Sequence, residues 1–537
     1  MSRPVIRPTR GRGQLRSRLR PALLGLACIL TSTLTWSAPA GAGPSDTGLK
    51  GAIDAILADA RMEGGAASVV IADAATGERL YQRDGGDRLM PASNTKLATS
   101  AAAMALLGPE YRFHTDVLST GSRHESTLRG DLYLRGGGDP TTLAKDYDRL
   151  AADLAASGVK RVTGRIVADD TRFDTQRLGR SWAADDESSY YSAQISPLTL
   201  APDTDYDSGT VIVEALPGAA PGDKPRVSLT PLTDYVRVDN RGTTVPAGQT
   251  DTLAIERQHG TNTIIISGNI PVGASATKEW VATWEPTGYA AAVFSDALAE
   301  HGIRMSGSPR LGRATPPGAK LLASHNSMPL RELMFPFMKL SNNMHAETLT
   351  KTIGYETAGR GTWEAGLAAI GGYLGKEGVR TSTIRQFDGS GLTRMNLFPA
   401  EQLATLLLSV RDAPWYADWY ASLPVACNTD RAIGGTLRSR MCGTPAALNA
   451  RGKTGSLTGA SALSGYVKDA AGRELVYSIV LNNYLASSVK SIEDAIVVTL
   501  AKSDTGAGAI AAVAPNAVRT QELPSNLECS WQKPKFC

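Results

Sequence analysis

The sequence predicts an α/β (α+β) fold: helix-rich segments towards both ends, with one or two β-rich domains inserted between them. Three observations lead there. "KLATSAAAMALLG" is rich in Ala and Leu and stops at Gly108-Pro109, which predicts a helix from about Ser93 to Leu107. From about Phe113 to Ser308, short Val/Ile/Thr/Leu runs alternate with Gly, Pro and Asp turns, as in "GDLYLRGGGDP", "RVTGRIVAD" and "NTIIISGNIPVG". From about Met328 helical texture returns, and a hairpin and a last helix follow it. With 537 residues, 42% of them hydrophobic, the chain can build several sizeable cores.

The elements follow in order. Seven arginines, Arg3, Arg7, Arg10, Arg12, Arg16, Arg18 and Arg20, precede the short apolar run "ALLGLACILTSTLTW" and the small residues of "SAPAGAG". This predicts a secretory signal peptide over residues 1–42, cleaved after Ala40 or Ala42. The apolar run is too short for a comfortable span, so no integral membrane segment is expected after cleavage. Gly25 stands where a lipobox wants a branched apolar residue, so Cys28 is not read as a lipid anchor. The seven arginines exceed the net charge of +4, which leaves the remainder slightly acidic and gives no sign of a nucleic-acid surface.

Next come a helix in "GLKGAIDAILADARM" and a hairpin over Ala67–Arg83, turning at Ala75-Thr76-Gly77. Two helical stretches, "TTLAKDYDRLAADLAASG" and "YAAAVFSDALAEHG", interrupt the β-rich region. "GGGDP" at Gly136–Pro140 lacks the Gly-Lys-Ser/Thr of a phosphate loop and reads as a structural turn. A second hairpin over Leu463–Tyr484 turns at Ala470-Ala471-Gly472. The helix "SSVKSIEDAIVVTLAK" follows it and reads as surface.

Signal cleavage leaves Cys427, Cys442, Cys529 and Cys537, an even number in an exported chain, which predicts disulfides. Pairing of sequence neighbours, Cys427 with Cys442 and Cys529 with Cys537, is the simplest of three connectivities. No Cys/His spacing fits a metal site, "HAE" at His345–Glu347 reads as helix surface, and no metal or cofactor is expected.

Three short motifs carry the chemistry. Ser93-Asn94-Thr95-Lys96 places a serine and a lysine on one helix face. Ser341-Asn342-Asn343 is a Ser-x-Asn, and Lys453-Thr454-Gly455 opens the strand-rich end. A Ser-x-x-Lys alone says little: four others start at Ser157, Ser275, Ser487 and Ser530, and a serine before a helix is ordinarily its cap. The three motifs in this order are the set found in penicillin-reactive serine enzymes. A serine hydroxyl needs a base, and a lysine serves as one only when burial or a nearby cation, here Lys453, lowers its pKa.

The stretches "LMPASNTKLATSAAA", "LRGGGDPTTL", "YYSAQISPLTLAPDTDYD", "LMFPFMKLSNNMHAE", "FDGSGLTRMN" and "ARGKTGSLTG" resemble the class C low-molecular-mass penicillin-binding proteins, the D-alanyl-D-alanine carboxypeptidase/endopeptidase family, of the actinomycete DD-peptidase type. The stretch from Ser93 to Ser341 is far longer than in compact β-lactamases. The resemblance implies a split penicillin-binding/β-lactamase-like transpeptidase domain, 43–115 plus 322–505, in which the two hairpins share one antiparallel sheet. It implies two nested β-rich insertions over 116–321 and a tail over 506–537. Ser93 would be the nucleophile, Lys96 its base, and Ser341 with Lys453 the proton relay to the leaving D-Ala. Asn343 would bind the acyl amide, Lys453, Thr454 and Ser456 the terminal carboxylate, and Gly455 belongs to the same binding strand. Backbone N–H groups of Ser93 and Ser456 would form the oxyanion hole. Arg394 would meet a side-chain carboxylate of the stem peptide, and Trp182, Asp185 and Tyr190 of "SWAADDESSYY" its ammonium end, unless these residues bridge domains. The expected partners are peptidoglycan peptides ending in D-Ala-D-Ala and β-lactam antibiotics, at a secreted, cell-wall-associated location. A serine β-lactamase and a catalytically silent wall-binding protein are the rival readings. The usual "AGxDGTL" run is replaced by "ACNTDRAIGGTLRSRMCGT", bracketed by Cys427 and Cys442.

Overall fold

The computed structural model describes residues 46–504 and 513–515. The signal peptide 1–42, Cys28, Cys529, Cys537 and almost all of the tail 506–537 lie outside the described residues.

A five-stranded antiparallel sheet organises the part that bears the motifs. Its order is Arg451–Leu457, Ala460–Lys468, Glu474–Asn482, Ala66–Asp73, Arg79–Arg83. Strands from opposite ends of the chain therefore share one sheet, with Ala66 opposite Asn482 and Asp73 opposite Leu475. The strand Ala66–Asp73 is buried on both faces because each alternate side chain meets a different layer. Val70 joins the core made with the helices Thr95–Leu106, Leu330–Leu340 and Asn343–Ala358, through Leu97, Phe337 and Leu349. Val69 and Ile71 join the opposite core, with Leu49 and Ile53 of the helix Asp46–Leu57 and Ile492 and Ile496 of the helix Lys490–Lys502. That last helix is a buried layer rather than the surface element its flanking serines and charges suggest. Its run from Ile492 to Ala501 is buried, and its two acidic residues, Glu493 and Asp494, pair with buried Arg440. Glu493 also accepts the Ser461 hydroxyl at 2.6 Å.

The β-rich region leaves and rejoins this part through neighbouring strands. His114–Ser119 and Lys320–Asn326 pair antiparallel at one side of a seven-stranded sheet, so the insertion begins and ends at one place. Within that sheet Leu132–Gly136 and Arg161–Asp169 run parallel, joined through the helix Ala144–Ala156, because parallel neighbours need a long crossover. Three smaller sheets follow, and the whole has a core of its own that includes Val117, Leu134, Tyr147, Val213, Ile264 and Phe294. The "GGGDP" turn packs tightly: a Cβ on Gly137 would lie 2.1 Å from the His114 carbonyl oxygen. Asp139 accepts the Thr141 N–H at 2.8 Å and its hydroxyl at 2.6 Å. Among the described residues no helix is long and apolar enough to cross a membrane.

Candidate active site

The three motifs meet where the sheet edge approaches the helices. Ser93 sits in a 3-10 turn, Ala92–Asn94, just ahead of the helix Thr95–Leu106, whose N-cap is Asn94. The edge strand lies against that turn. A Cβ on Gly455 would stand 2.6 Å from the Pro91 carbonyl oxygen and 3.1 Å from the Ser93 nitrogen, so only a glycine permits the approach. Ser341 closes the helix Leu330–Leu340 in the left-handed conformation, φ 61°, which breaks the helical run. Asn342 caps the next helix by accepting the His345 N–H at 3.1 Å, and Asn343 is that helix's first residue.

Lys96 is fully buried. Its Nζ lies 2.8 Å from Ser93 Oγ, 2.6 Å from Asn343 Oδ1 and 2.8 Å from the Ser390 carbonyl oxygen. The amide of Asn343 is oriented by donating from Nδ2 to the Tyr191 carbonyl at 2.8 Å, which leaves Oδ1 for the lysine. Burial lowers the Lys96 pKa to about 7, against the pull of Glu347 and Asp388, which raises it. Lys453 is also fully buried, with Nζ 2.6 Å from Ser341 Oγ and 2.9 Å from the Thr454 carbonyl. Burial, with Lys96 nearby, holds it well below the ordinary lysine value.

Above these lysines lies a cleft of about 660 Å³. Ser93, Ser341, Asn343, Thr454, Ser456, Arg394 and Tyr190 line it. Of the twelve residues singled out for catalysis and binding, five do not line it: Lys96 and Lys453 are buried, Gly455 packs against the turn of Ser93, and Trp182 and Asp185 lie elsewhere. Trp182 donates its indole N–H to buried Asp388 at 3.1 Å, and Asp185 is exposed in a short turn beside the cleft. The neighbouring Asp186 lines the cleft instead and accepts the Tyr191 hydroxyl at 2.8 Å. Arg394 faces the cleft while donating to the Thr458 carbonyl at 2.8 Å.

The reading of "HAE" as helix surface is corrected. His345 and Glu347 are fully buried, because the inserted region and the loop at Asp388–Gly391 cover that face. His345 Nε2 lies 3.0 Å from the Tyr206 carbonyl. Glu347 accepts the N–H groups of Gly389 and Ser390. Cys427 and Cys442 form a disulfide, closing a loop whose Thr436 accepts a hydrogen bond from the Thr454 hydroxyl at 2.9 Å. Arg431 of that loop pairs with Asp205 of the inserted region. No cluster of metal-ligating side chains occurs among the described residues.

Residues 49–503 match the D-Ala-D-Ala carboxypeptidase 3 (S13) family. A D-alanyl-D-alanine carboxypeptidase of Actinomadura sp. (strain R39) is 44% identical over 534 residues, 98% of this chain and 97% of the relative. The D-alanyl-D-alanine carboxypeptidase DacB of Haemophilus influenzae is 26% identical over 76% of this chain and 83% of its own length. Among solved structures, penicillin-binding protein 4 (dacB) of Haemophilus influenzae superposes with a TM-score of 0.71 at 24% identity, covering 82% of this chain and 94% of that one. That likeness shows the fold: a penicillin-binding architecture with additional domains. The same Haemophilus protein is also known complexed with a β-lactam.

Proposed function

The chain belongs to the D-Ala-D-Ala carboxypeptidase 3 (S13) family and is a DD-peptidase hydrolase; from that premise we propose that it works through an acyl-enzyme on Ser93. The surroundings of Lys96 Nζ carry this reading. Two of its three partners, Asn343 Oδ1 and the Ser390 carbonyl, can only accept. A neutral amine has two N–H groups for them and one lone pair left, directed at the Ser93 hydroxyl. Ser93 Oγ attacks the carbonyl carbon of the D-Ala-D-Ala bond as its proton passes to Lys96. The C–N bond then breaks, and the leaving amine takes a proton by way of Ser341 and Lys453. Water hydrolyses the ester, regenerating Ser93 and the shortened peptide.

Thr454, Ser456 and Lys453 hold the terminal carboxylate. Burial disfavours the Lys453 cation in the free protein, and an arriving carboxylate favours it. Arg394 and Asp186, rather than Asp185, are placed to meet the two charges of a zwitterionic side chain. Catalytic segments 43–115 and 322–505 flank an insertion, 116–321, whose first and last strands straddle the junctions. The arginine-rich start and a peptidoglycan substrate support secretion and action outside the cytoplasm, at the wall.

The activity depends on a deprotonated Lys96, so D-Ala release rises as pH passes upward through about 7. The direct test is intact mass of the mature protein against time after adding benzylpenicillin. A lasting adduct of one penicillin on the Ser93 peptide, absent from folded Ser93→Ala, is expected. A transient adduct with rapid antibiotic loss would make the chain a β-lactamase. No adduct on folded protein would make it a silent wall-binding member.

A further inference from the structure

Two buried carboxylates beneath the cleft, Glu347 and Asp388, have no part in the reaction as written above. Both act on one short segment. Glu347 Oε1 accepts the Ser390 N–H at 2.8 Å, and Oε2 accepts the Gly389 N–H at 2.9 Å and the Trp363 indole at 2.7 Å. Asp388 Oδ1 accepts the Gly391 N–H at 2.8 Å and Asn396 Nδ2 at 2.7 Å. Its Oδ2 accepts the Thr393 N–H at 2.7 Å and the Trp182 indole at 3.1 Å. Burial pushes both carboxyls up, Glu347 to about 7, while these N–H donors favour the ionised forms.

The segment Gly389–Gly391 is suspended between the two. A Cβ at Gly389 would stand 2.1 Å from Thr350 Oγ1, and one at Gly391 1.8 Å from the Ala92 carbonyl oxygen. Glycines thus let the segment pass between the Asn343–Ala358 helix and the turn that carries Ser93. What it presents there is the Ser390 carbonyl, at 2.8 Å from Lys96 Nζ. The Thr99 hydroxyl clamps the neighbouring Gly389 carbonyl at 2.7 Å.

We propose that Glu347 and Asp388 are positioning residues for acylation: they hold the Ser390 carbonyl against Lys96 and supply the negative charge that sets how readily its amine takes the Ser93 proton. The proposal rests on the role given to Lys96 above. The groups that face Lys96 are few. Ser93 comes from its own turn, Asn343 and Glu347 from the Asn343–Ala358 helix, Asp388 and the Ser390 carbonyl from the loop, and Lys453 from the edge strand. Lys351, one turn beyond Glu347, is engaged by Asp174 at 2.6 Å. Burial makes the Lys96 cation harder to hold, and the two carboxylates make it easier. Trp182 makes the inserted region part of this arrangement, since its indole reaches Asp388 from outside the helical layer.

The test is kcat/KM for D-Ala release against pH in wild type, Glu347→Gln and Ser93→Ala. An active wild type and an inactive, folded Ser93→Ala show that the underlying reading holds; activity in Ser93→Ala would sink that reading instead. Glu347→Gln cannot accept the same set of N–H groups, so a loss of roughly 10²-fold at the plateau is expected from the displaced carbonyl. Its acid limb should also move to lower pH, because removing a negative charge makes Lys96 easier to deprotonate. A loss with the limb unmoved or moved upward, or no loss at all, overturns the proposal. Should Glu347→Gln not fold, Glu347→Asp keeps the charge and retracts it by one methylene. It should lose rate with the limb in place, and a wild-type rate from it would overturn the proposal.

Discussion

Two buried cations, Arg257 in the inserted region and Lys96 under the cleft, show what partners do to a charge taken out of water. The side chain of Arg257 is 1% exposed, and all five of its N–H groups are matched. Nε donates to the Ala282 carbonyl at 2.7 Å, and Nη1 to the carbonyls of Gln258 and Thr261. Nη2 donates to the Glu187 carbonyl and, at 2.8 Å, to its carboxylate. Burial works against ionised Glu187, but the Gly260 N–H, Arg257 and His259 hold it at about 2. Lys96 is as deeply buried, yet no carboxylate touches it, and burial brings it to about 7. The guanidinium with its carboxylate ties strands together, whereas a buried amine with no carboxylate in contact is brought near neutrality and can trade a proton.

Lys96→Met separates the two most sharply. Loss of the base should slow acylation by roughly 10²–10⁴-fold, with a thermal midpoint close to wild type, because no ion pair is broken. Arg257→Met should do the reverse. It leaves the carbonyls of Ala282, Gln258 and Thr261 without their donor and takes the cation from Glu187, so urea unfolding should show a loss of about 3–5 kcal/mol, while the surviving activity keeps its acid midpoint. The same pair gives a sign to acid sensitivity. Glu187 is depressed, so its contribution is present above its usual value of 4.5 and disappears as pH falls through about 2. The smallest effect is reduction of Cys427–Cys442, which opens a loop of 15 residues' separation. Loop entropy puts this at about 3 kcal/mol, read as a lower thermal midpoint; no change would show that the loop is held by Arg431, Arg440 and Thr436 alone.

Much of the candidate site was legible because its parts are local. Ser93 and Lys96 stand three residues apart across the start of a helix, a Ser-x-Asn between two helical runs marks their break, and Lys-Thr-Gly opens the strand-rich end. The two hairpins were legible from alternation and turn residues alone. Glu347 was not: a carboxylate flanked by Ala and Thr looks the same whether water or another segment covers it. Trp182 was read as meeting either a substrate charge or a neighbouring domain; its indole donates to buried Asp388, and an indole gives no sign in sequence of which carboxylate it will reach. Asp185 and Asp186 differ by one position in a turn, and no period separates the exposed one from the one that faces the cleft.

By itself, then, the sequence determined the candidate reactive groups, their order and the helices and strands that present them, because covalent spacing and side-chain period act within a few residues. Only the tertiary structure decided which groups lost water and what replaced it. Burial of Lys96, the covering of Glu347 and Asp388, and the reach of Trp182 all depend on segments tens to hundreds of residues apart in the chain, and desolvation is a property of that assembled surroundings rather than of any residue.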